Sequence, residues 1–263
     1  MNDKNKKKLI AFLSLLIAVS LCSVLLLLPK MSKHNSVPQE PVVTEEVEMP
    51  NFDDEIAVFD ANKEINDDYV GQLVFKSGLI DLPVVQSHLD DVDEAYDEYL
   101  RTAWDTMEHD EEGSIFVDPT VNVEVDGNIV IYGHYVYPHL DPEQTHKFSP
   151  LHVLKEEQNY EENKNFHIIF ENQIRAYEIA YVYYAEIEGE GEEQVSTVNY
   201  MYPNYTEEEF YDYLNIMEEK AFYDTGVDIN YEDYLLTLQT CVKDRDDLRL
   251  IVVAREVTSV ITR

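Results

Sequence analysis

Cysteine is nearly absent from this chain: among 263 residues only Cys22 and Cys241 carry a thiol. Basic residues are the second shortage, with 19 Lys and Arg against 54 Asp and Glu and a net charge of −35. Six of the lysines and one aspartate fall within residues 1–33, so residues 34–263 carry 13 basic against 53 acidic side chains, net −40. Such a surface repels nucleic acid and anionic headgroups, which excludes a nucleic-acid partner. It reads first as a solvated acidic surface, and it attracts cationic or amine-bearing partners. Internal repeats are missing, as is any low-complexity tract beyond the acidic clusters. The eight histidines show no metal-ligand spacing, so neither a metal nor another cofactor is implied.

What is present begins at the N-terminus. Lys4, Lys6, Lys7 and Lys8 precede an uncharged apolar run from Leu9 to Leu28. Twenty residues at ~1.5 Å each match the ~30 Å hydrocarbon core of a bilayer. A cleaved signal peptide would have a shorter apolar region and a small-x-small site, which "LLLLPKMSK" does not offer. "VSLC" at 19–22 is a poor lipoprotein box, because Leu21 is bulky and the apolar run continues past Cys22. The reading is a cytoplasmic basic tail over 1–8 and an uncleaved transmembrane helix over 9–28. By the positive-inside rule the remainder is extracytoplasmic, a single-pass type II arrangement in the cell membrane. Cys22 then lies in the bilayer and Cys241 outside it, so the two cannot pair within one chain. A lone extracytoplasmic thiol is either reactive or bridged to another molecule; the alternative is a buried cysteine acting as a small hydrophobe.

Residues 29–50 hold Pro29, Pro38, Pro41 and Pro50 without an apolar period, which is a stalk. Residues 51–263 have the length of one domain. β signals dominate it: 69–75, 79–85, 114–118, 128–133, 166–170, 175–187, 195–201, 235–241 and 249–257 are short β-branched or aromatic runs. So many strands predict a mostly-β barrel or sandwich. Flanking helices are expected over part of 52–65, within 91–108 and over 206–223. The middle one carries a stripe of Val92, Tyr96, Tyr99, Ala103 and Met107. The last opens with a capping box from Thr206 to Glu209 and carries Phe210, Leu214, Met217 and Ala221 on one face.

The final two runs predict an antiparallel hairpin in which Cys241 closes one strand, Arg249 opens the next, and seven mostly polar residues loop between them. A loop symmetric about Arg245 sets Cys241 opposite Arg249, with Cβ atoms ~5 Å apart. A guanidinium there favours thiolate and offers donors to an oxyanion. Arg255 shares that face but sits ~20 Å further along. A cysteine nucleophile also needs a proton acceptor and donor, usually histidine. Among the histidines His134 stands out, directly after a predicted strand and after Gly133; the alternative is an ordinary loop histidine.

"TLQTC" at 237–241, followed eight residues later by Arg249 in "RLIVVAREV", resembles the active-site signature of sortases, and "IYGH" at 131–134 resembles their Tyr-Gly-His segment. "DYVGQLVF", "LIDLPVVQ" and "GSIFVD" are similar to framework stretches of class B sortases, in the same order. The resemblance covers roughly 52–257. The long segment before the cysteine strand, with its helix at 206–223, resembles the class B insertion; no lid motif or second anchor of the class C pilin enzymes is evident. Tyr135 stands where class B members usually have Asn, and Gln239 where they often have Ser, which puts substrate and amine preference in doubt.

The resemblance implies an eight-stranded sortase-type β-barrel and a cysteine transpeptidase, with His134, Cys241 and Arg249 catalytic and Gln239, Thr240 and Tyr135 at the substrate pocket. It implies sorting-signal-bearing surface proteins as substrates, cleaved after Thr through a thioester, and a peptidoglycan cross-bridge or stem-peptide amine as acceptor. It leans weakly to an Asn-Pro-x-Thr type of motif. The alternatives are a pilin-polymerising sortase, whose acceptor is a pilin lysine, and a non-catalytic extracellular binding domain with a buried cysteine. A papain-like peptidase is disfavoured, since its cysteine lies early on a helix with the histidine downstream.

Overall fold

Alternation of inward and outward side chains builds the strands. β1 (Tyr69–Phe75) buries every second residue, Tyr69, Gly71, Leu73 and Phe75. It is followed by β2 (Asp81–Val85), β3 (Ile115–Val117), β4 (Asn128–Tyr132), β5 (Asn165–Phe170), β6 (Gln173–Glu188), β7 (Val195–Ser196), β8 (Leu235–Val242) and β9 (Arg245–Ile261). The computed structural model describes residues 52–136, 147–188 and 195–262. The expected basic tail, membrane anchor and stalk over 1–50 lie outside the described residues. Among those described, no helix is long and apolar enough to cross a membrane.

The strand order is β5-β1-β2-β3-β4-β8-β9-β6-β7, and β5 also pairs with β6. Eight strands therefore close on themselves as a barrel, with β7 added outside on β6. Closure rather than a two-sheet sandwich decides between the two architectures expected, and it removes the free edges that an open sheet must protect. The β2–β3 and β4–β8 pairs are parallel and the others antiparallel.

The core fills the barrel. Leu236 and Leu238 of β8 and Leu250, Val252 and Ala254 of β9 point inward to meet Leu73, Val84, Ile129 and Ile131. Each such Leu, Ile or Val, fully removed from water, contributes about 1.5–3 kcal/mol. The opposite parity faces outward under the helices. Leu235, Ile251 and Val253 lie beneath α4 (Glu207–Lys220), which buries Phe210, Tyr213 and Met217 against them. Val130 and Tyr132 of β4 form a second outer cluster with Tyr99, and Tyr96 of α2 (Val92–Glu98) packs on it. β4 is thus buried on both faces, which is why its sequence is an unbroken apolar run. α1 (Phe52–Ile65) sets Phe59 on Tyr69 and Ile169. Two short 3-10 segments, Ser149–Lys155 and Glu157–Asn159, and the single turn α3 (Tyr160–Asn163) add Leu151, Leu154 and Tyr160 to the barrel core.

Three expectations shift. The helix expected within 91–108 stops at its C-cap Tyr99. The chain then doubles back so that Thr102 bridges His109, and Met107 takes a positive φ of 56° that no α-helix accommodates. The helical stripe thus divides: Tyr96 and Tyr99 pack inward, whereas Val92 and Met107 are exposed. The strand expected over 195–201 pairs only at Val195–Ser196. Beyond it Val198 and Tyr200 are buried from an irregular segment, so alternation there records burial without a ladder. The third shift is the hairpin of β8 and β9, whose expected seven-residue loop is replaced by a two-residue turn.

Candidate active site

Period two along β8 decides which side chains can share a cavity. Gln239 and Cys241 face outward; Thr240, between them, is completely buried, and its Oγ1 finds no hydrogen-bond partner among the described residues. Cys241 is directly opposite Arg249, as the symmetric loop required. The strands nevertheless run on: Val242 pairs with Arg245, leaving Lys243 and Asp244 as the turn, with Asp244 at φ 56°. Aspartate is among the residues that tolerate this left-handed conformation best. Asp246, Asp247 and Leu248 are the surplus on β9 and form a bulge. The two aspartates read as loop because they project into solvent, where Arg245 makes two 2.8 Å bonds to the Asp247 carboxylate, whereas Leu248 is buried. The bulge holds the guanidinium: Arg249 Nη1 donates to the carbonyls of Asp246 (2.8 Å) and Leu248 (2.9 Å). Bulges of this kind are common beside active sites because they re-aim a side chain.

His134 arrives from the end of β4. Gly133 before it has no room for a side chain, since a Cβ would stand 2.7 Å from the Phe148 ring and 2.8 Å from Ile115. His134 Nε2 lies 2.7 Å from the Leu100 carbonyl oxygen. A carbonyl only accepts, so Nε2 carries a proton and Nδ1 is the other nitrogen available for exchange. The Leu100 turn is itself pinned. Gly113, at φ 56°, packs so closely that a Cβ would be 2.3 Å from the Leu100 oxygen, and Ser114 N–H donates to Tyr99 O at 2.9 Å.

His134, Cys241, Arg249 and Gln239 line one cavity of about 250 Å³. Its walls are apolar and aromatic, with Tyr96, Leu100, Phe116, Tyr132, Tyr200 and Met201 prominent. Tyr200 donates to Gln239 Oε1 at 2.8 Å. Burial pushes the Tyr200 phenol up to about 12 against the opposing pull of the Arg249 cation, so it stays a donor. Tyr96 and Tyr132 both donate, at 2.6 Å, to Oδ2 of the buried Asp118, whose Oδ1 accepts from the Thr120 amide and hydroxyl. Burial raises both phenols well above the ordinary tyrosine range, with Asp118 adding to the shift. These walls are therefore hydrogen-bonded in place. Among the described residues no group of three His, Cys, Asp or Glu side chains is arranged to hold a metal ion.

Four of the six residues singled out from sequence thus meet at the cavity, and two do not. Tyr135 points elsewhere, its ring centroid 4.6 Å from that of His152, and Thr240 faces the barrel interior. Sequence reasoning passed over Tyr200, the Asp118 pair of tyrosines and His152, which lies 3.0 Å from the Cys241 carbonyl oxygen. Asp118 ends an apolar run and its two tyrosines stand on α2 and β4, both expected from sequence, so these left a signal; Tyr200 lies in an irregular segment and His152 in a 3-10 segment, neither with a periodic signature.

An eight-stranded closed barrel whose parallel β4–β8 pair delivers a histidine and a cysteine to one outer cavity, with an arginine across the hairpin, is a class B sortase-like fold. Solved structures agree. Sortase B of Clostridium perfringens is 29% identical, with a TM-score of 0.59 over 76% of this chain and 99% of that one. A Staphylococcus aureus sortase B–substrate complex is 21% identical, with a TM-score of 0.62 over 76% of this chain and 84% of that one. A sortase B complexed with triglycine, also 21% identical with a TM-score of 0.62, covers 76% of this chain and 86% of that chain. No family model and no curated protein sequence matches the chain.

Proposed function

We propose that this chain is a membrane-anchored cysteine transpeptidase of the sortase type, anchored through residues 9–28 with residues 51–263 as its extracytoplasmic catalytic domain. The observation that carries the reading is that Cys241 and Arg249 are cross-strand partners and open with His134 into one aromatic-walled cavity. Cys241 Sγ passes its proton to His134 Nδ1 and adds to the threonine carbonyl of a sorting signal on a surface protein. Arg249 offers its N–H groups to the oxyanion that forms, and the bulge carbonyls that hold it keep that aim before substrate arrives. The C–N bond breaks, the leaving amine takes a proton from His134 Nδ1, and the acyl group remains as a thioester. An incoming amine attacks the thioester, gives a proton back to His134, and releases the Cys241 thiolate. Gln239, fixed by Tyr200, contributes to the peptide-binding wall. The substrate-bound and triglycine-bound sortase B structures support a sorting peptide and an amine-bearing peptide as the two partners. The acidic domain surface is compatible with a cationic amine acceptor such as a wall cross-bridge or stem peptide.

The test is transfer of a sorting peptide to triglycine by the detergent-solubilised chain. Cys241→Ala is expected to abolish cleavage and transfer together, because the covalent step is lost. Substantial turnover by that variant would sink the reading, and a thiol inert to alkylation in the wild-type protein would favour a non-catalytic binding domain.

A further inference from the structure

Among the described residues, no strand receives the Cys241 carbonyl at the end of β8. Along β8 the backbone groups of odd-numbered residues point toward β4: Leu235 N–H donates to Gly127 O at 2.7 Å, and Gln239 O accepts from Gly133 N–H at 3.1 Å. Two residues on, the Cys241 carbonyl points the same way by the period of the ladder. β4 has ended by then. After His134 the chain turns away, Tyr135 bridges Lys147, and Phe148 N–H donates to His134 O at 3.1 Å. The donor that β4 no longer supplies comes from His152, whose Nε2 is 3.0 Å from Cys241 O. Because that oxygen can only accept, Nε2 carries the proton. The imidazole is held on two sides. Tyr135 packs on its ring, and its backbone rides on a 3-10 segment whose Leu151 and Leu154 are fully buried in the barrel core. Burial lowers the basicity of His152, which keeps the ring neutral at neutral pH. His152 is not among the residues that line the cavity.

We propose that His152 is a positioning residue: its Nε2–H holds the Cys241 carbonyl at the open end of β8 and so keeps Sγ aimed into the cavity and in register with Arg249. The need arises at this point of the strand because the β8–β9 register breaks immediately after Cys241, leaving the nucleophile at the last regular pair. A displacement of about 1 Å of a reacting group is enough to cost on the order of 10²-fold in rate. The proposal rests on the transpeptidase reading above.

Steady-state kinetics of transfer by the full chain, for wild type, His152→Met, His152→Gln and Cys241→Ala, test it. Methionine keeps the bulk of the ring and loses the donor; glutamine keeps an N–H. His152→Met is expected to lower kcat by about tenfold or more with KM within about twofold, and His152→Gln to restore kcat to within about threefold of wild type, as misaiming of a nucleophile predicts. Equal kcat for the Met and Gln variants overturns the proposal, whatever their melting temperatures, and so does a loss expressed only in KM. Wild-type protein that shows no transfer in the same assay overturns the transpeptidase reading itself, and the role assigned to His152 with it.

Discussion

Two arginines on the same face of β9 separate geometry from charge. Arg249 faces Cys241, whereas Arg255 faces Leu235, six residues or about 20 Å along β8. Arg255 is engaged elsewhere, donating to Asp228 O at 2.8 Å and lying 3.9 Å from the Glu178 carboxylate. Lysine keeps a positive charge but loses the planar fork of donors. Arg249→Lys is therefore expected to reduce kcat/KM on the order of 10²-fold, the usual consequence of losing an oxyanion donor. Arg255→Lys is expected to stay close to wild type. Peptide-cleavage kinetics of the two purified variants decide it, and a crippled Arg255→Lys would contradict the cross-strand assignment. The same reasoning explains why Cys241 and Arg249 were legible in the sequence and His152 was not. A cross-strand pair follows from parity and a turn, both local, while the His152–Cys241 contact joins residues 89 positions apart through a 3-10 segment with no periodic signature.

Elements with a period were legible and those without were not. β1, β4 and β8 lie within a residue of where their alternating or apolar runs placed them. Helical spacing overextends the helix after Asp91 because Tyr96 and Tyr99 continue at that spacing into a turn held by Gly113 and Ser114, a tertiary constraint that spacing does not encode. Sequence overestimates the hairpin loop because polar, exposed strand ends look like loop. α4 was the clearest helix, and its boundary rests on one motif. Thr206 Oγ1 accepts from Glu209 N at 3.3 Å while the Glu209 carboxylate accepts from Thr206 N at 2.8 Å. That cap starts the helix at the residue from which Phe210, Tyr213 and Met217 reach the outer face of β6 and β9. Thr206→Ala is expected to cost about 1 kcal/mol, which lowers the melting temperature of a domain this size by about 2–4 °C. Because α4 supplies no residue to the cavity, kcat per folded molecule is expected to hold. Thermal melts and active-site titration of the same samples would check both halves.

For the molecule as a whole, charge and burial set how stability follows pH. The domain's large negative charge repels itself at neutral pH, a penalty that eases as protons bind. A half-buried histidine works in the opposite sense. His167 sits in β5 with its Nε2 buried and without a hydrogen-bond partner among the described residues. Burial lowers its pKa below the ordinary value, with Asp81 opposing more weakly. The unfolded chain, with a histidine pKa of about 6.5, therefore takes up a proton that the folded barrel refuses. The stability associated with this neutral ring is fully present above about pH 6.5 and is lost as pH falls from there through the lower folded-state value. Glutamine does not titrate, so His167→Gln removes the dependence. Urea unfolding of wild type and His167→Gln at pH 7.5, 6.5 and 5.5, in protein lacking residues 1–50, isolates it, because the carboxylate contribution is common to both proteins and cancels in the difference. The wild-type protein is expected to lose stability relative to the variant as pH falls. Parallel curves across that window would mean that the β5 histidine is hydrated and charges freely in the folded protein.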